Sequence, residues 1–241
     1  MPFLHSHEKS DSRTGISVCC TFCSFHGLAL PATKFFSARL VAVWGLLPSG
    51  FRTPPLVAPP LQEPRSSSTS SSSLRTVGKY EKYLSQRWLI HRELEAATDR
   101  ALRTDNRLTS LGLPSLYQTK NLEADLAHLQ SNLESIRPLP GSTNLIQEIQ
   151  KAAPATLMGI FYVFEGSKNG ARYISKSLAK AGQTALRYLD PHGEQQRPLW
   201  MKFRADMDSI SWTPTEQDQM VKSAQSTFDA ISSLDDAIHA G

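Results

Sequence analysis

Apolar residues recur at intervals of three and four along the chain from Val77 onward, and no stretch there alternates with the period of two that a strand requires. Tyr80, Tyr83, Leu84, Trp88, Leu94, Ala97 and Ala101 fall on one face of a helix predicted over 77–103. Leu122, Leu126, Leu129, Leu133 and Ile136 keep the same spacing. They predict a second helix that starts near Ser115, after Pro114, and stops before Pro138. A third helix takes Ser142 as its cap, carries Ile146, Ile149 and Ala153, and breaks at Pro154, which opens the next. That fourth segment is apolar nearly all round from Ala155 to Phe164, so it belongs at the centre, and its helical pattern continues through Ile174 and Leu178 to Gly182. A turn at Asp190-Pro191-His192-Gly193 precedes a helix over 198–210. The last helix has the clearest start, with Thr213 as cap, Pro214 in the first helical position and Glu216 completing a capping box. Met220, Ala224, Phe228, Ile231 and Ile238 supply its buried face. The expectation is an all-α fold, a compact bundle of about six to eight helices.

Residues 1–75 are different: rich in Ser, Pro and Arg, poor in acids, and closed by the run Ser66 to Ser73. Such sequence buries too little apolar surface to offset the entropy of ordering it, so the chain divides into a leader, 1–75, and a helical domain, 76–241. The leader holds seven basic residues against Glu8, Asp11 and Glu63, which accounts for the whole net charge of +4 and leaves the domain neutral. A neutral domain without a basic stripe gives no electrostatic reason to expect a nucleic-acid partner. The one apolar run in the leader, Leu40 to Leu47, falls far short of the ~20 residues a membrane span needs. Cys19, Cys20 and Cys23 are too close and too few for a disulfide framework, which fits an intracellular protein. An Arg-rich, acid-poor leader suits import into a mitochondrion or plastid, and a misassigned first exon has the same foreign look.

Gly166 and Gly170 stand four apart inside a helix, where two glycines cost about 1 kcal/mol each relative to alanine and so need a reason. They share a helix face and leave a strip of bare backbone. Either a second helix packs closely there through small residues, or something flat lies against it. The run Phe161-Tyr162-Val163-Phe164-Glu165-Gly166-Ser167-Lys168-Asn169-Gly170 resembles the distal-helix motif of haem oxygenases, in particular the bacterial signature E-G-S-x-x-G-G, with Ala171 in place of its last glycine. Phe203-Arg204-Ala205-Asp206-Met207-Asp208-Ser209-Ile210-Ser211-Trp212-Thr213-Pro214 resembles the animal segment Y-R-S-R-M-N-S-L-E-M-T-P. Thr227-Phe228 keeps step downstream, and Tyr83 to Glu95 is similar to the family's second helix.

The resemblance implies a bundle of the haem oxygenase-like type and haem as both substrate and cofactor, cleaved to biliverdin, carbon monoxide and iron with dioxygen and an external electron donor such as a reductase or ferredoxin. It implies that Gly166 and Gly170 let the distal helix kink over the haem, and that Ser167 stands where animal enzymes carry a water-organising aspartate. Phe161 and Phe228 would contact the macrocycle, and Arg204 would pair with a propionate, as a guanidinium forks onto a carboxylate. The family's partner lysine is Trp200 here, with Lys202 close by to replace it.

The family's iron-binding histidine belongs on a preceding helix, and counting back reaches Val57 to Pro59, where there is none. No metal ligand is assigned. His91 lies within reach of a distal network, whereas Cys20, Cys23 and His26 have metal-like spacing without a fourth ligand. The missing histidine favours an alternative, a haem or tetrapyrrole carrier that does no chemistry. Thiamine-pyrimidine hydrolysis needs a cysteine nucleophile, which Val77 to Gly241 lacks, and a di-iron bundle needs Glu-x-x-His pairs, also missing there.

Overall fold

The structure, a computed structural model, describes residues 77–240. The leader, its cysteines, His26 and the Val57 to Pro59 stretch lie outside the described residues. Six α-helices follow one another: α1 Val77–Thr104, α2 Thr119–His128, α3 Pro140–Lys151, α4 Pro154–Lys180, α5 Gln196–Ser209 and α6 Pro214–Ala240. Short 3-10 turns fill three of the connections, and no strand occurs among the described residues.

α4 is the central element, as its apolar circumference demands. Leu157, Met158, Ile160, Val163 and Phe164 are buried, and α6 lies along it. The main core joins these to Leu94 and Ala97 of α1, Ile149 of α3, Phe203 of α5 and Ala224 of α6. A second apolar cluster gathers the first half of α1 with Leu122 and Leu126 of α2 and with Leu178, Ala185 and Leu189 from the end of α4 and the segment after it.

Helix ends follow local chemistry. Thr213 N–H donates to Glu216 Oε2 at 2.8 Å while Glu216 N–H donates to Thr213 Oγ1 at 3.3 Å, so the capping box forms as expected. Ala152 and Ala153 are extended, which breaks the chain ahead of Pro154 and lets it open α4. Two expectations need correction. The second helix stops at His128, where Gln130 turns the chain with a φ of 60°, and Leu133 to Ser135 form only a 3-10 turn. Leu129, Leu133 and Ile136 still pack on the second cluster, so the apolar spacing survives a break in the helix. Ser142 is no cap either. Pro140 starts α3, and the Ser142 hydroxyl, fully buried, donates to Gln86 Oε1 at 2.8 Å.

Candidate functional site

At about 100° of rotation per residue, Gly159, Tyr162, Gly166 and Gly170 share one stripe of α4. The two ends of that stripe have different neighbours. A Cβ on Gly159 would run into Ser223 Oγ and the Met220 carbonyl of α6, so two helices approach here through a missing side chain. A Cβ on Gly170 would meet nothing within 4 Å. Close helix packing therefore explains Gly159, which the sequence reading did not single out, and leaves Gly170 open. The signal was present: Gly159 precedes Gly166 by seven residues, two helical turns.

Gly166 itself is buried, Gly170 is exposed, and α4 carries helical hydrogen bonding through both. The polar residues between them turn back onto the helix. Ser167 Oγ donates to the Phe164 carbonyl at 2.8 Å, and Asn169 Nδ2 donates to the Gly166 carbonyl at 3.1 Å. Glu165 and Lys168 form a buried ion pair, with Lys168 Nζ also donating to the Leu116 carbonyl at 3.2 Å. Burial pushes the Glu165 carboxyl up and the Lys168 ammonium opposes that shift. Lys168 comes two residues after Gly166, so this pair lies behind the stripe rather than on it.

Beside the stripe runs the seam between α4 and α5. Phe161 packs on Phe203, with centroids 6.1 Å apart, and on Tyr117 at 6.5 Å. It points around the helix from the glycines. Tyr162, four residues before Gly166, is the aromatic that shares their face, and the sequence reading passed over it. Its ring meets Trp200 edge-on at 4.8 Å. The Tyr162 hydroxyl is buried without a hydrogen-bond partner, and burial, opposed by Arg204, pushes it up to about 12. Arg204 places its guanidinium carbon 6.0 Å from the Trp200 ring and leaves its buried Nε–H without an acceptor. Two unanswered donors in one seam suit an anionic oxygen, because a buried polar group left unpaired is costly. Lys202, two residues beyond Trp200, is exposed and holds Asp206 at 2.5 Å, one turn along α5. Phe228 lies in the main core on α6, with Ala224 and Ile231.

A profile of the haem oxygenase family, described as Heme oxygenase, matches residues 66–234. The chain belongs to the haem oxygenase family. Solved haem oxygenases share its fold. One from Leptospira interrogans has a TM-score of 0.61 at 18% identity, covering 72% of this chain and 87% of that one. Heme oxygenase-1 from the cyanobacterium Synechocystis in complex with heme gives 0.62 at 14%, covering 70% and 81%. Heme oxygenase-2 from Synechocystis in complex with heme and NO gives 0.64 at 16%, covering 86% of each chain. No curated protein sequence matches.

Within this haem oxygenase fold His91 stands away from the glycine stripe, whereas His192 carries a buried Nε2 without a hydrogen-bond partner. His91 is buried against Phe164, ring centroids 4.7 Å apart, with Nε2 3.2 Å from the Tyr188 hydroxyl and Nδ1 3.9 Å from Glu95. Phe164 is two residues from Gly166, so His91 sits on the far side of α4. Burial, aided by Lys168 and Arg87, holds its imidazole well below the usual range and hence neutral at pH 7. His128 bonds Thr184, and His192 is close enough to Lys168 to feel its charge. No cluster of three or more metal-ligating side chains occurs among the described residues. Nor is any described helix long and apolar enough to cross a membrane. The open Gly170 backbone and the unanswered Tyr162 and Arg204 donors fit the flat body and the acidic side chains of haem.

Proposed function

We propose that this protein binds haem against the Gly166–Gly170 stripe of α4 and opens it to biliverdin, carbon monoxide and iron. Two observations carry the reading: a side chain at Gly170 would meet open space, and two buried donors of the α4–α5 seam, Tyr162 Oη and Arg204 Nε, are left unanswered by the protein itself. Arg204 and Tyr162 would anchor a carboxylate, Trp200 would wall the seam, and Ser167 at the stripe's flank would hold water. Bound haem supplies the iron that activates dioxygen as well as the ring that is oxidised, with electrons from an external donor such as a reductase or ferredoxin. Haem titrated into the full chain should give a stoichiometric Soret band. Adding a reductant in air should then replace that band with biliverdin absorbance. No Soret band would overturn the reading.

A second reading, a tetrapyrrole carrier without chemistry, is favoured by one observation: Val57 to Pro59, where the family's iron-binding histidine would fall, holds no histidine. It requires the Soret band to persist under reductant and air. We also propose that residues 1–75 direct import into an organelle; a fluorescent fusion of that segment that stays in the cytosol counts against it.

A further inference from the structure

α5 runs antiparallel to α4. Phe203 meets Phe161, Trp200 meets Tyr162, and the Glu194 carboxylate accepts from Arg172. Between those pairings Gln196 falls level with the turn Gly166 to Asn169. Gln196 is only 2% exposed, yet neither Oε1 nor Nε2 has a hydrogen-bond partner. On the facing turn of α4 the polar side chains are engaged elsewhere, Ser167 with the Phe164 carbonyl, Asn169 with the Gly166 carbonyl and Lys168 with Glu165, while His192 Nε2, four residues before Gln196, is likewise buried without a partner. A buried carboxamide with both ends unanswered is rare in folded proteins and points to a partner that is not part of the chain. Gln196, Trp200 and Arg204 stand four apart on one line of α5, about 12 Å from first to last at 1.5 Å per residue. One end of that line holds donors for a carboxylate, and the other holds an amide.

We propose that Gln196 recognises the lactam end of an opened tetrapyrrole, and so distinguishes product from substrate. This rests on the tetrapyrrole reading of the stripe. A carboxamide presents an N–H donor beside a C=O acceptor, and a lactam presents the complementary C=O and N–H side by side, so two hydrogen bonds form together. Closed haem has no such group. Away from its carboxylates its edge is hydrocarbon, and its pyrrole nitrogens face the iron. Opening the ring creates the partners that Gln196 lacks, which makes the site hold the product at the edge opposite Arg204.

The test is binding, independent of turnover. The full chain and its Gln196→Met variant are titrated separately with haem and with biliverdin, following absorbance and induced circular dichroism, with Gln196→Leu as a second variant should the first misfold. The expected result is a biliverdin Kd raised about tenfold or more, with the haem Kd unchanged, because sites built to hydrogen-bond a group discriminate strongly for it. An unchanged biliverdin Kd overturns the inference and leaves the amide to buried water. Equal losses for both ligands overturn it too, since they mark a packing role. If the native chain takes up haem but not biliverdin, the inference falls and the proposed function stands. Uptake of neither ends both.

Discussion

Arg87 of α1 grips Asp235 of α6 with one nitrogen, Nη2 lying 2.7 Å from Oδ1 and 3.0 Å from Oδ2. The arginine side chain is 4% exposed and the aspartate 23%, and the Arg87 guanidinium also lies 4.9 Å from the Tyr83 ring. Burial pushes the Asp235 carboxyl up, and Arg87 is the main group that opposes it. Removing one member strands the other, so Arg87→Met should cost about 3 kcal/mol, the lower end of the range for broken buried pairs because Asp235 keeps some solvent. Arg87→Met combined with Asp235→Leu should recover most of that loss. Urea melts of the two variants check it, and equal losses would contradict the pairing.

The glycines of α4 should respond in opposite senses. Gly159→Ala drives a methyl into Ser223 and the Met220 carbonyl and should destabilise the bundle by about 1–3 kcal/mol, the usual cost of overpacking. Gly170→Ala meets open space and replaces a poor helix former, so it should stabilise by up to about 1 kcal/mol. Gly170→Leu should fold as well as the native chain and lose haem uptake. Thermal melts together with haem titration separate these outcomes, and unchanged haem binding in Gly170→Leu would show that nothing lies on the stripe.

These contrasts show what sequence conveys here and what it does not. The apolar stripes of α1, α4 and α6 were legible because burial imposes the helical period on one chain segment at a time. Leu129, Leu133 and Ile136 misled for the same reason: they are partly buried against the second cluster, and such burial records contact with a core, not continuity of a helix. Gly166 and Gly170 were legible through their motif. Tyr162, Gly159 and Gln196 were not singled out, because their meaning depends on which helix faces them, and only packing decides that. The direction in which Lys202 points depends on the same geometry. Two residues along α5 from Trp200 is a rotation of about 200°, which carries its side chain to the opposite face.

Acid should weaken the junction between the turn that follows α1 and the start of α6. Arg107 bonds both Asp105 and Glu216, and its guanidinium, together with the Thr213 N–H, holds the Glu216 carboxyl down at about 2. A carboxyl depressed in the folded state stabilises fully above its unfolded value of about 4.3, and that contribution is lost as pH falls toward the folded value. Glu216→Gln should therefore lower Tm at pH 7 and make no difference near pH 2. Thr213→Ala, which removes the other half of the capping box, should cost about 1 kcal/mol at neutral pH. A Tm difference for Glu216→Gln that is constant from pH 7 to pH 2 would assign its role to packing instead of charge.

Tyr162 and Arg204 offer a sharper test, because the same atoms should matter differently to the empty and the loaded protein. The Tyr162 hydroxyl is buried and unanswered, so Tyr162→Phe removes a desolvated group and should leave the unliganded Tm unchanged or slightly raised. Haem uptake should nonetheless weaken, since the hydroxyl finds its acceptor only in the ligand. Arg204→Leu removes a charge-assisted bond to a carboxylate, a kind worth about 1.5–3 kcal/mol, so the haem Kd should rise at least about tenfold. Haem dimethyl ester, which has no carboxylate, should bind the native chain and Arg204→Leu alike. If the ester discriminates between them as strongly as haem does, Arg204 acts on the shape of the seam, and the carboxylate anchor must be sought elsewhere.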